Sequence, residues 1–116
     1  MTELPEPSDE DLALLRKFRA MVGVALADPA FDVRQAAEPL GLSERSLYRK
    51  FKELTGLTPA AYLRELRLSH ARELLEAGTV RSVDEAAFAV GFEDAPYFAR
   101  VFYKRYGRRA SDLLRA

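Results

Sequence analysis

The chain has 116 residues, a length that holds one compact domain, or two very small ones sharing a helix, and leaves any signal-sensing module to be sought elsewhere. There is no Cys and only one His, no run approaching 18 uncharged apolar residues and no basic-then-apolar start, so a disulfide framework, a metal cluster, a membrane span and an export signal are not expected, and a soluble cytoplasmic chain is. Eighteen Lys and Arg balance 18 Asp and Glu, which argues against a nucleic-acid partner, although the balance is −3 over residues 1–30 and +3 over the remainder.

Residues 1–8 carry Pro5 and Pro7 among acids and read as a disordered or linker segment ending in Ser8, an N-cap. Leu12, Leu15, Phe18, Val22, Ala25 and Leu26 then recur at helical spacing, predicting an amphipathic helix over 9–27 that Asp28 and Pro29 end. Asp32 can cap a short helix from Val33 to about Leu40, which Pro39 should kink or cut short; Gly41 turns the chain, and Ser43 caps a helix to Thr55. Thr58 and Pro59 open a helix of 19 residues to Ala77. The plan then repeats, with helices over 83–90 and 95–106 about Gly91 and a last turn over 111–115. The expected fold is all-α: two helix-turn-helix subdomains joined by a long central helix, with an extra N-terminal helix. Residues 9–57 hold that helix and the first unit, 58–78 the connector and 79–116 the second unit.

The repeat survives alignment residue by residue. Val33, Ala36, Ala37, Leu40 and Gly41 match Val83, Ala86, Ala87, Val90 and Gly91 at an offset of 50. Leu47, Arg49, Phe51 and Gly56 match Phe98, Arg100, Phe102 and Gly107 at 51, so the second turn carries one extra residue. Leu47 with Phe51, and Phe98 with Phe102, are i, i+4 pairs that form the inward seam of each second helix.

A connector of 19 residues is about 28 Å long, against about 34 Å between successive major-groove faces on one side of B-DNA. Two units so joined can enter adjacent grooves of double-stranded DNA from a single chain. The outward face of the first second-helix offers Arg45, Ser46, Tyr48, Arg49 and Lys52, with Glu44 at the helix start as a cap. Arg bonds guanine O6 and N7 bidentately, and Tyr or Ser reaches base edges or phosphates. The corresponding face of the second unit shows Ala95, Pro96, Tyr97, Ala99 and Arg100, poorer in donors, with alanines that can meet thymine methyls. Lys104, Arg105, Arg108 and Arg109 either neutralise phosphates or form a solvated helix end. Arg64, Arg67 and Arg72 alternate with acids as a salt-bridged face, and His70 reads as a partly buried structural histidine.

Residues Phe31 to Arg115 resemble the AraC/XylS family. The resemblance is carried by Gly41-Leu42-Ser43 through Leu47, Arg49, Phe51-Lys52 and Thr55-Gly56, then Leu66-Arg67-Leu68, Ala71, Leu74-Leu75, Ala87, Val90-Gly91-Phe92, Tyr97-Phe98, Arg100, Phe102 and Gly107. It implies transcription regulation by a monomer with two recognition helices in adjacent major grooves. It also implies base-reading positions at Arg45, Tyr48 and Arg49 and at Ala95, Pro96, Tyr97, Ala99 and Arg100. The leading helix, the segment 27–31 and Leu47-Tyr48-Arg49-Lys50 resemble the C-terminal output domain of hybrid two-component regulators in that family. A sensor or receiver domain in the full-length protein and RNA polymerase are then the further partners implied, with no cofactor. Ala36 and Ala86 replace the family's larger aliphatic residues, which should loosen each unit's core unless the first helix fills the gap, and Ala110 stands where the family commonly has proline.

The rival reading is a helical protein-interaction module that has lost DNA binding and docks through residues 9–27, favoured by zero net charge. An enzyme is not expected: no His, Asp and Ser constellation and no phosphate-binding glycine loop is present, and DNA-repairing relatives need cysteines.

Overall fold

The computed structural model describes residues 6–114. Seven helices follow in order: α1 (Asp9–Ala25), α2 (Arg34–Ala37), α3 (Glu44–Thr55), α4 (Pro59–Ala77), α5 (Val83–Ala89), α6 (Ala95–Tyr106) and α7 (Ala110–Leu113). The all-α expectation is met, with no strand among the described residues, and none of their helices is long and apolar enough to cross a membrane. Of the linker expected over residues 1–8, residues 1–5 lie outside the described part, as does Arg115; Glu6 and Pro7 are exposed and irregular.

Helix starts follow the capping residues. Ser8 Oγ accepts from the Asp11 N–H at 3.1 Å while Asp11 Oδ2 accepts from the Ser8 N–H at 3.2 Å. These bonds, the backbone one foremost, hold the Asp11 carboxyl below its usual range. Asp32 and Gln35 close a similar pair around the first turn of α2, at 3.0 Å to the Arg34 N–H and 2.9 Å back to the Asp32 N–H. Thr58 Oγ1 accepts from the Ala61 N–H at 3.1 Å at the head of α4.

Helices α1 and α2 end two or more residues before their periodicity predicts. α2 stops at Ala37, because Pro39 has no N–H with which to continue the ladder, and Leu40 is bonded back to the Ala36 and Ala37 carbonyls in a closing turn. The second unit has Ala89 in the place of Pro39, and α5 runs seven residues. α1 ends at Ala25 rather than residue 27, and Asp28 Oδ1 takes the Ala30 N–H at 2.9 Å in a side-chain-closed turn.

The described residues divide into two compact units, one of residues 6–25 with Phe31–Arg64, the other of Leu26–Ala30 with residues 65–114. The first is centred on three rings from three helices, Phe18, Phe51 and Tyr62, with centroids 4.7, 5.8 and 5.3 Å apart and edge-to-face tilts. Phe18 and Val22 of α1 are buried, as are Ala36, Ala37 and Leu47 of the same unit, so α1 contributes a ring and a branched side chain to the core in which the small alanines lie.

The second unit is built on Leu68, Ala71, Leu75, Ala86, Ala87, Val90, Phe98 and Phe102, with Leu26 packed against them. Its segment Leu26–Ala30 lies on the turn of the second helix-turn-helix. Gly91 sits at φ +90°, and a Cβ there would stand 2.3 Å from the Leu26 carbonyl oxygen. Arg67 fastens the segment from below, donating from Nη2 to the Asp28 carbonyl at 2.9 Å. Its buried Nε finds no partner, and burial draws the guanidinium pKa down despite Asp28 nearby. The expectation of a solvated, salt-bridged Arg67 is therefore corrected: the side chain serves the backbone of a packed segment.

Gly91→Ala combines a left-handed backbone with a backbone clash, and should lower unfolding free energy in urea by roughly 2–4 kcal/mol. A loss below about 0.5 kcal/mol would show that Leu26–Ala30 does not press on this turn.

Candidate nucleic-acid interface

Each helix-turn-helix presents its second helix in the same way. In α3, Ser43 stands at φ −74° and ψ 161° and its Oγ accepts from the Ser46 N–H at 3.1 Å, fixing the helix start. Leu47 and Phe51 are buried on one side. Arg45, Tyr48, Arg49 and Lys52, at i, i+3, i+4 and i+7, form an exposed stripe on the other. Tyr48 leaves 52% of its surface in water. None of these four side chains has a hydrogen-bond or ion-pair partner among the described residues, whereas Lys50 reaches Asp11 at 3.3 Å. Ser46 is only half exposed, and its hydroxyl meets that of Ser43 at 3.0 Å, so it belongs to the cap as well as to the face.

In α6 the cap is Asp94, whose Oδ1 accepts from the Tyr97 N–H at 3.0 Å. Phe98 and Phe102 are buried, while Pro96, Tyr97, Ala99, Arg100 and Lys104 are exposed. Ala95 is half-buried against the second core and offers only part of its methyl. The Arg100 guanidinium lies 5.8 Å from the centre of the Tyr97 ring, a stacked pair on the open face. Tyr103, 56% exposed, lies on this stripe too. It stands 51 residues after Lys52, so the repeat offset was the signal by which the sequence could have found it.

The basic cluster at the end of α6 and just beyond it divides into paired and open side chains. Arg105 holds Glu65 with Nε at 2.7 and 2.8 Å from the two carboxylate oxygens and Nη2 at 2.6 Å, and lies 4.8 Å over the Tyr106 ring. The Glu65 bonds push its pKa up, and burial pushes the Tyr106 hydroxyl up. Arg105 is thereby engaged within the second unit, while Lys104, Arg108 and Arg109 remain exposed. On the connector, Arg72 pairs with Glu76 as expected. His70 corrects another expectation: it is exposed, with Nδ1 3.6 Å from Glu73, because its position falls on the outer face of α4 beside buried Leu68 and Ala71. No set of three or more His, Cys, Asp or Glu among the described residues can hold a metal ion.

Residues 36–116 match the family described as a helix-turn-helix domain. The chain belongs to the AraC/XylS helix-turn-helix family. This AraC/XylS domain is 41% identical over 95 residues to the transcriptional activator RhaR of Klebsiella pneumoniae, covering 82% of the chain and 33% of that protein. It spans about a third or less of the length of the first curated relatives it matches. Among solved structures, it resembles the C-terminal domain of the two-component response regulator YesN from Fusobacterium nucleatum, with a TM-score of 0.76 and 27% identity over 89% of this chain and 99% of that one. It also resembles the DNA-binding domain of the global transcriptional factor AdpA in complex with target DNA, with a TM-score of 0.74 and 30% identity over 90% and 89% of the two chains.

Ser43→Ala removes the α3 cap and should cost about 1 kcal/mol of stability; a thermal melt of the variant that overlays the parent would show the cap to be idle.

Proposed function

We propose that this AraC/XylS domain binds double-stranded DNA sequence-specifically in the regulation of transcription, with α3 and α6 entering successive major grooves. The observation that carries this reading is a pair of capped helices, each with an aromatic or aliphatic seam buried and basic side chains exposed on the opposite face, those of the α3 stripe without hydrogen-bond or ion-pair partners among the described residues. Local charge supports it where the net charge does not. α3 carries four bases against two acids, and α6 three bases and no acid. Arg45, Tyr48 and Arg49 read base edges, Lys52 and Ser46 hold phosphate or the groove wall, and Arg100 on Tyr97 reads in the second groove. Pro96 and Ala99, with the open part of Ala95, offer apolar contact to thymine methyls, and Lys104 neutralises phosphate. The 19 residues of α4, about 28 Å, suit the groove repeat of about 34 Å.

In the full-length protein the domain acts in the cytoplasm as a non-enzymatic output module for a sensor or receiver domain, with RNA polymerase as a downstream partner. The likeness to the YesN output domain supports a receiver, whose phosphorylation then governs DNA binding.

Fluorescence anisotropy on a duplex selected from a random pool tests this reading. Affinity should fall with salt on a log–log slope of about −3 or steeper, from release of several counterions. Arg49→Ala should weaken the selected site by about 1–3 kcal/mol and unrelated duplex far less. Salt-independent binding, or equal loss on both duplexes, contradicts groove reading by α3.

A further inference from the structure

The repeat places a cleft at the same point of each unit, and the two clefts differ in a way that concerns a guest. In the first unit the space is about 320 Å³, bordered by Val33, Tyr48, Thr58 and Pro59, with one base, Arg34, and one acid, Glu44, in its lining. In the second it is about 630 Å³. Val83 corresponds to Val33 at the offset of 50, and Ala99, Arg109 and Ala110 correspond to Tyr48, Thr58 and Pro59 at 51. An alanine thus stands where the first unit has a tyrosine ring, an arginine where it has a threonine, and half-buried Ala95 where it has Glu44. The enlarged cleft is lined by Val83, Ala99, Ala110 and the Tyr103 ring, with Arg100, Arg109 and Ser111 as its polar groups and no acid.

A volume of this size, mostly apolar walls and a few charged donors are the makings of a small-molecule site. Two guanidinium groups without a carboxylate in the lining select an anion, and planar guanidinium suits a carboxylate with two parallel oxygens. The space vacated by the tyrosine ring suits a flat or slender apolar body. We propose that the cleft between α5, α6 and α7 binds a small organic carboxylate, its apolar part over Ala99, Val83 and Ala110 and its carboxylate held by Arg100, Arg109 and Ser111. Arg100 also belongs to the DNA-facing stripe of α6. A bound carboxylate therefore withdraws that arginine from the groove and lowers DNA affinity through the second unit. This last consequence rests on the DNA reading above, while carboxylate binding by the free domain does not.

The test uses 4-phenylbutyrate and its neutral amide as probes in a nitrogen-15 NMR titration of the 116-residue chain. The acid should give saturable shifts at Ala99, Tyr103, Ala110 and Ser111 below about 10 mM, with the amide about tenfold weaker. Arg109→Gln should weaken the acid by about tenfold, and Ser111→Phe, which plugs the cleft from an exposed position, should abolish the shifts with the circular dichroism spectrum unchanged. Equal affinity for acid and amide, shifts outside the cleft, or none by about 10 mM overturns the site. Anisotropy with the selected duplex then reads the competition. Reduced duplex affinity in the presence of the acid supports it, and unchanged affinity overturns it. Absence of duplex binding without any probe is a failure of the DNA reading alone.

Discussion

The structure depends on one requirement: the second helix of each helix-turn-helix must bury one face completely. Phe51, Phe98 and Phe102 expose none of their surface and Leu47 only 2%. Each such side chain contributes about 1.5–3 kcal/mol by leaving water, a large share of what a unit this small can gather. The seam cannot rotate without losing that contribution, so the opposite face is fixed in turn. Tyr48, Tyr103, Arg45, Arg49 and Arg100 are outside because the phenylalanines are inside. A functional surface on these helices is thus inherited from core packing, and the caps at Ser43 and Asp94 set where along the helix it begins.

Duplication has left the two faces with different chemistry on the same frame. The first offers unpaired guanidinium, ammonium and phenol groups over its whole length. The second spends Arg105 on Glu65, stacks Arg100 on Tyr97 and shows small residues between them. On the DNA reading proposed above, discrimination among sequences would rest chiefly with α3, with contact area and a neighbouring hollow left to α6. The cores diverge in parallel. The first is filled by an aromatic triad that includes a ring from α1, and the second by a run of rings along α6 and an aliphatic residue, Leu26, contributed from just after α1.

Much of this was legible in the sequence. Helix number and type, the caps Ser8, Ser43 and Thr58, and the inward seams followed from periodicity and from the repeat, because those features answer to local rules. The shortened α2 was foreshadowed by Pro39. What escaped was set by tertiary partners. Arg67 looked like one more charge on an alternating face, yet its target is a backbone carbonyl 39 residues away. Arg105 looked like its basic neighbours until Glu65 was found opposite. A lone His reads as a partly buried structural residue, whereas its helical position beside Leu68 and Ala71 puts His70 outside. Tyr103 is marked only by the repeat offset from Lys52, not by its residue type.

The segment Leu26–Ala30 bears on where the domain begins. By the family match its border falls at residue 36, after α1 and the segment have both gone by. By packing, the second core holds Leu26, Arg67 holds the Asp28 carbonyl, and the first core holds Phe18. Neither unit is an uninterrupted stretch of chain: the polypeptide leaves the first at Ala25, returns at Phe31 and leaves again after Arg64. A fragment trimmed to the recognisable motif would keep every candidate DNA-contacting side chain and still lack part of both hydrophobic interiors, so the boundary of the motif and the boundary of the folding unit are different lines.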